Sequence, residues 1–160
     1  MNKKINLLIF GATGSIGNSV FSIIRKNRQK FNVQGVTCNK NVNKLNKLVE
    51  EFKVKKIGIN LKKEQLKKFN NFNKKNLFLE LKNFHKMIDV KTDIIIFAVT
   101  GLECLNLALK IAKSGKKVGL ANKECIISLG EHFISLSKKH KTKITPLDSE
   151  HNAVFHLLKG

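Results

Sequence analysis

A run that is apolar except at Asn6 and passes directly into three evenly spaced glycines leaves this chain few folds to choose from: Ile5–Phe10, then Gly11-Ala12-Thr13-Gly14-Ser15-Ile16-Gly17. A strand with apolar side chains on both faces has no solvent side and belongs inside a parallel sheet. Glycines directly after it suit a tight turn in which the backbone approaches a ligand with no Cβ in the way. Ile16, Val20, Ile23 and Ile24 then fall on one helical face, so the turn opens a helix. The start of a helix presents unpaired N–H groups and the positive end of a dipole, a natural seat for a pyrophosphate. The G-x-x-G-x-x-G spacing is one residue longer than the simplest dinucleotide fingerprint, and a bare glycine triplet serves equally as a plain strand-to-helix turn. Set between an apolar strand and an amphipathic helix, it reads as a dinucleotide-binding loop.

The same alternation runs on through the chain. Val33–Cys38 is expected as a second strand, and Val42, Leu45, Leu48, Val49 and Phe52 follow at helical spacing. Lys56–Ile59 reads as a short strand, followed by a lysine-rich helix over about 62–70 and a polar, asparagine-rich loop at Phe69–Lys75. Leu77–Leu81 is a weak strand and Asp93–Val99 a strong one. Leu102, Leu105, Leu109 and Ala112 make a helical stripe that Gly115 would end as a glycine cap. Lys117–Leu120 as strand, a helix within Glu124–His140 and a last strand at Lys143–Leu147 complete the series. This order implies an α/β fold of Rossmann-like, doubly wound type: a mainly parallel sheet, helices on both faces, right-handed crossovers. Residues 1–147 form one domain without internal repeats or a linker. Ligands of such sheets bind at the carboxyl ends of the strands, near the point where strand order reverses.

Composition narrows the partners. With 160 residues, 42% hydrophobic and 26% charged, the chain can bury one ordinary core. A net charge of +20 raises the question of nucleic acid, yet Arg25 and Arg28 are the only arginines among 31 basic residues. Bidentate phosphate and base recognition favours arginine, and no aromatic ladder accompanies the scattered lysines. They read as a solvated surface, with no specific nucleic-acid partner. Cys38, Cys104 and Cys125 are too widely spaced for a disulfide framework or a zinc site and suit a reducing compartment. Ile5–Phe10 is too short for a signal peptide, and no run approaches the ~18 apolar residues of a membrane span, so no membrane partner and a cytoplasmic location are expected.

Three further segments carry chemistry. An NAD-preferring site has an acid about 20 residues beyond the glycines to bond the ribose 2′-hydroxyl; here stand Cys38-Asn39-Lys40-Asn41. A lysine and two amides suit a 2′-phosphate, which a carboxylate would repel, and this points to NADP, although Lys40 also fits the general lysine surface. Ala121-Asn122-Lys123-Glu124 follows a strand, where polar side chains face the cleft; Asn122 as a helix cap and Glu124 at the dipole is the plainer alternative. In Pro146-Leu147-Asp148-Ser149-Glu150-His151-Asn152, carboxylates two residues apart share one side of an extended backbone. Asp148 and Glu150 can therefore meet on one hard cation such as Mg²⁺ or Mn²⁺, or equally begin a helix with acids in its first turn. His151 and His156 lack a spacing that demands a metal.

Taken together, GATGSIG, NKNV at Asn39–Val42, TGL at Thr100–Leu102, ANKE and PLDSEHNAVF resemble 1-deoxy-D-xylulose 5-phosphate reductoisomerases, in that order and over almost the whole chain. ANKE and DSEHNA are distinctive, whereas the glycine loop is shared by many oxidoreductases. The resemblance implies an NADPH-dependent homodimer that uses a divalent cation (Mn²⁺, Mg²⁺ or Co²⁺) in non-mevalonate isoprenoid synthesis. It would rearrange the carbon skeleton of a ketose phosphate and reduce the resulting aldehyde to 2-C-methyl-D-erythritol 4-phosphate. By motif match, Thr13, Gly14, Ser15 and Ile16 hold the pyrophosphate, Asn39, Lys40 and Asn41 surround the 2′-phosphate, and Asn122 and Glu124 also contact NADPH. Lys123 and Ser149 touch the substrate; Asp148 and Glu150 bind the metal, with Glu150 also near substrate oxygens and Lys123 and Glu150 in the catalytic role.

Departures from the family pattern are Asn39 in place of glycine, Ala98 and Thr100 in a small-residue loop, and Cys125 in place of serine after ANKE. Length is the larger one. Residues 148–160 would only begin the catalytic domain, leaving out a further metal-binding glutamate, the substrate-phosphate pocket, the lid and a C-terminal helical domain. Little or no turnover is expected of such a portion alone. Competing readings are an NADP-dependent semialdehyde or acyl-phosphate reductase, which needs a reactive cysteine, a basic nucleic-acid-binding module, and a regulatory cofactor-binding domain.

Overall fold

A computed structural model describes residues 3–68 and 76–147, with every strand of its seven-stranded sheet parallel to its neighbours. In chain order these are β1 (Ile5–Phe10), α1 (Ser15–Lys26), β2 (Phe31–Cys38), α2 (Val42–Phe52), β3 (Lys56–Ile59), β4 (Leu77–Leu79), β5 (Ile94–Phe97), α3 (Leu105–Ala112), β6 (Lys117–Leu120), α4 (Lys123–Lys139) and β7 (Lys143–Pro146). Short 3₁₀ helices occupy Lys63–Lys68, Leu81–Met87 and Leu102–Cys104. The spatial order is β4-β3-β2-β1-β5-β6-β7. The chain thus builds outward from β1 to β4, then returns to the other side of β1 and builds outward again. The order reverses between β1 and β5.

Why β1 is apolar at every inner position is now plain. Leu7 and Ile9 enter one core with Phe21 and Ile24 of α1, Val42, Leu45 and Leu48 of α2, and Ile57 and Ile59 of β3. Leu8 and Phe10 enter the other, with Phe84, Met87, Ile95, Phe97, Ala108, Ile111 and Phe133. Leu8, Ile9 and Phe10 have no exposed surface. A strand with period-two side chains and two covered faces has no position left for a polar residue.

Several sequence expectations shift in phase. The buried seam of α1 is Gly17, Phe21 and Ile24, while Ile23 is 57% exposed. Gly17 explains the rotation: a Cβ there would strike the Ala12 carbonyl, so the helix rests against the β1 turn along that line. Before α3, Gly101 (φ 90°) leads into the 3₁₀ turn, which leaves Leu102 63% exposed. The buried seam becomes Leu107, Ala108, Ile111 and Ala112, not the Leu102-Leu105-Leu109-Ala112 stripe. Gly115 adopts φ 68° but lies beyond the helix end at Lys113, where its N–H donates to Thr142 Oγ1 at 2.9 Å. The lysine-rich helix expected over about 62–70 is a 3₁₀ helix at Lys63–Lys68, and residues 69–75 lie outside the described residues. Unforeseen was the 3₁₀ helix Leu81–Met87. Its signal was present in Leu81, Phe84 and Met87, spaced by the three residues of a 3₁₀ turn, with Phe84 and Met87 buried.

Two polar clusters tie the elements together. Arg25 and Arg28 both reach Glu51 (2.6 Å each) and lie over the Phe52 ring, joining the end of α1 to the end of α2. Both arginines of the chain are therefore spent on one helix pair. At the amino edge of the sheet, Asp89 accepts from Lys56 Nζ (2.6 Å), Gln34 Nε2 (2.9 Å) and the backbone N–H groups of Lys91 and Thr92. Burial pushes the Asp89 carboxyl up, but the Lys56 and Gln34 hydrogen bonds outweigh it and hold it well below the usual carboxylate range. A depressed folded-state value gives stability that is full above the ordinary value of 3.8 and is lost as pH falls below it. Asp89→Asn should lower Tm at pH 7 by about 3 °C, corresponding to ~1 kcal/mol after allowance for partial exposure. The gap to wild type should narrow in thermal scans taken from pH 5 down to pH 2; a gap independent of pH would refute the assigned charge.

Candidate functional site

At the strand-order reversal lies a cleft of about 270 Å³ along the carboxyl edge of the sheet. Its walls come from five successive strand ends: Gly11 and Thr13–Ile16 after β1, Thr37–Asn39 at β2, Asn60 after β3, Ala98–Thr100 after β5 and Ala121 after β6. The volume is near the lower end of the usual ~300–1,000 Å³ of small-molecule sites, so a long ligand would lie partly along the open rim.

The glycine loop is held from both sides. Gly11 N–H donates to Thr37 Oγ1 (3.0 Å) and Ala12 N–H to the Thr37 carbonyl (2.8 Å), while Ala98 N–H donates to the Phe10 carbonyl (2.9 Å). Gly11 sits at φ 84°, and a Cβ there would collide with the Ala98 carbonyl, so only glycine lets β1 and β5 turn out side by side. Gly14 differs. A Cβ on it would meet no protein atom closer than the Gly11 carbonyl at 3.5 Å, so the space it leaves is cleft rather than packing.

Two of the helices that start at this edge are capped by side chains. Asn41 caps α2, accepting from Lys44 N–H at 3.1 Å, and Asn122 caps α4, accepting from Cys125 N–H at 2.8 Å. The start of α1 has Gly14 at the cap, no side-chain cap bond and no acid in its first turn. Helix N–H groups left without a side-chain partner beside a cleft suit an anionic oxygen. The observed arrangement therefore fits a pyrophosphate.

The residues singled out from sequence do not all line the cleft. Thr13, Gly14, Ser15, Ile16 and Asn39 line the cleft together. Lys40 and Asn41 stand exposed just beyond Asn39. Asn122 is only 1% exposed: its Nδ2 donates to the Val99 carbonyl and to Cys104 Sγ (3.0 Å), so its side chain braces the cleft wall from behind. Glu124 is half-buried in the first turn of α4, and Lys123 opens that helix. The Lys123 side chain and residues Asp148, Ser149, Glu150, His151 and His156 lie outside the described residues. Among the described residues no group of three metal-ligating side chains occurs, and no helix is long and apolar enough to cross a membrane.

Three contributors were missed from sequence. Thr37 anchors the loop and ends an apolar strand, where a hydroxyl is out of pattern. Asn60 donates to Asn39 Oδ1 (3.1 Å) and accepts from Leu81 N–H (2.9 Å), positioning Asn39 from β3. Lys44 Nζ donates to the Thr13 carbonyl at 2.9 Å. The cysteines do not offer an accessible nucleophile, since all three are buried. Burial pushes the Cys38 thiol up to about 12. The contact with Cys104, then burial, drives the Cys125 thiol far above its ordinary range; Cys104, lowered chiefly by that same bond, has no exposed surface. Asn122→Ala removes the α4 cap and leaves the Val99 carbonyl without its partner. It should cost about 2–3 kcal/mol in urea unfolding, and a loss under ~0.5 kcal/mol would show that these bonds do not hold the wall.

The sequence profile of the 1-deoxy-D-xylulose 5-phosphate reductoisomerases matches residues 7–130. The 1-deoxy-D-xylulose 5-phosphate reductoisomerase of Clostridium botulinum (strain 657 / Type Ba4) is 35% identical over 161 residues, a match covering 97% of this chain and 42% of the relative. The solved structure of the Zymomonas mobilis enzyme in complex with NADPH superposes with a TM-score of 0.86 at 29% identity, over 96% of this chain and 41% of that one. A DOX-P reductoisomerase structure in complex with NADPH, fosmidomycin and magnesium gives a TM-score of 0.82 at 31% identity, over 95% and 38%. The chain thus spans about two-fifths of the length of these relatives. By profile, identity and shared fold, the chain belongs to the 1-deoxy-D-xylulose 5-phosphate reductoisomerase family.

Proposed function

We propose that this chain is the NADPH-binding portion of a 1-deoxy-D-xylulose 5-phosphate reductoisomerase. One observation carries the reading: the uncapped, acid-free start of α1 opens with Gly14 into a cleft shared with Asn39 at the strand-order reversal. Ser15, Ile16 and the glycines offer backbone N–H groups to the pyrophosphate, Asn39 and Asn41 offer amides to the 2′-phosphate, and Lys40 adds a cation beside them. The Asn122 side chain is committed to the cleft wall, so its backbone is what remains for the cofactor.

Residues 1–147 act as the nucleotide domain, and 148–160 open the catalytic one. Asp148 and Glu150 are a hard oxygen pair suited to Mg²⁺ or Mn²⁺, incomplete without further ligands; Ser149 and Lys123 sit where the family motif meets the sugar phosphate. The cation, when bound, polarises the carbonyl of the ketose phosphate, and NADPH supplies the hydride for the aldehyde formed by rearrangement. Lys123 adds positive charge near the same oxygens, and Glu150 holds both metal and substrate. A homodimer is the expected assembly of the whole enzyme. The buried cysteines weigh against a thiol-dependent reductase.

The enhancement of reduced nicotinamide fluorescence measures binding by the 160-residue chain directly, with no tryptophan or tyrosine to interfere. Saturable NADPH binding, tighter than NADH, is expected; equal affinity for the two, or none for either, would refute the nucleotide assignment. With substrate and Mn²⁺ added, NADPH should not be consumed at a measurable steady-state rate, and clear oxidation would overturn the assignment of the remaining ligands to a part beyond residue 160.

A further inference from the structure

Among the described residues lining the cleft there is one acid, Glu103, and no lysine or arginine. For a site meant to hold three phosphates, that distribution leaves the charge balance to residues just outside the wall. Among the described residues, Lys44 is the cation that hydrogen-bonds to the loop itself. It lies in the first turn of α2, and its backbone N–H is tied to Asn41 Oδ1 at 3.1 Å. Its half-buried side chain runs back to place Nζ on the Thr13 carbonyl at 2.9 Å. One residue thus touches both loops, at Thr13 beside Gly14 and at Asn41 beside Lys40.

We infer that Lys44 is a nucleotide-positioning residue that sets the preference for the 2′-phosphorylated dinucleotide. An ammonium has three N–H donors, and the Thr13 carbonyl takes one. Among the described residues no carboxylate lies within ion-pair distance of Lys44, unlike Lys56 and Lys82, which pair with Asp89 and Glu80. Two donors and a whole positive charge are therefore available to a ligand beside Thr13. The bond to Thr13 holds the side chain in place before ligand arrives, so little rotamer entropy is lost on binding. Lys40, the cation that spacing alone singles out, is exposed and has no such anchor among the described residues. A charge anchored between Thr13 and the Asn39–Asn41 loop has the 2′-phosphate to act on in NADPH and not in NADH.

This inference rests on the nucleotide reading above. Fluorescence titrations with NADPH and with NADH on the wild-type chain, Lys44→Met and Lys44→Arg separate the two. Lys44→Met should weaken NADPH by roughly tenfold, as expected for one charge-assisted contact, and NADH by less than about twofold. Lys44→Arg should recover most of the NADPH affinity, because it keeps the charge on a longer arm, and thermal scans establish that both variants are folded. Equal losses for both nucleotides, which a purely structural tie to Thr13 would produce, or no loss for either, overturn the proposal while leaving the nucleotide site standing. A wild-type chain that binds neither nucleotide refutes the site itself, and the role of Lys44 with it.

Discussion

The structure depends on β1 having no solvent side. Leu7 and Ile9 are claimed by one core and Leu8 and Phe10 by the other, so the strand can neither slip by one residue nor move to an edge without exposing one set and burying polar groups with the other. Everything at the site inherits that fixity. Phe10 ends the strand beside Phe97 of β5, Gly11 turns the chain out at φ 84° against the Ala98 carbonyl, and the first helix leaves from a point set by two packed layers. The ligand edge is thus built by the most constrained segment of the fold, which is what a preorganised anion site requires.

Electrostatics follow a different logic. A charge of +20 spread over lysines is largely solvated and screened beyond about 10 Å in ordinary salt. Its sum says little about function. What matters is where individual charges are immobilised. The two arginines, the residues best suited to binding phosphate in a fork, are consumed by Glu51 and Phe52 at the opposite edge of the α1–α2 layer. Lys56 is held by Asp89 at the amino end of the sheet. The glycine loop is left with backbone dipoles and the anchored Lys44.

The cysteines show how packing decides whether a thiol can react. Cys125 follows ANKE in the first turn of α4, with no partner motif in the sequence to mark it as a nucleophile. In the fold it is enclosed with Cys104 behind Val99, and Asn122 is bonded to the sulfur of one and the backbone of the other. The pair therefore belongs to the wall of the cleft, with Asn122 as its brace.

Much of this was legible in the amino-acid sequence because it is periodic or local. β1, β3 and β6 have the bounds expected from their apolar runs, and the glycine loop falls at the carboxyl edge, as a strand–glycine–helix order requires. Helix phase was less legible: which face of α1 or α3 is buried depends on how close a glycine or a 3₁₀ turn lets the helix approach, and that distance is not encoded in spacing. The expected site set separated in the same way. Thr13–Ile16 and Asn39 meet in one cleft, whereas Asn122 turned inward because a buried carbonyl and a helix start needed its amide more than the solvent edge did. Sequence alone determined the layered α/β fold and the glycine turn between β1 and α1, since both arise from short-range pattern and backbone freedom. Only the tertiary structure decided that Thr37, Asn60 and Lys44 hold the loops that line the cleft, because they come from different strands and helices and are brought together solely by the packing of the sheet.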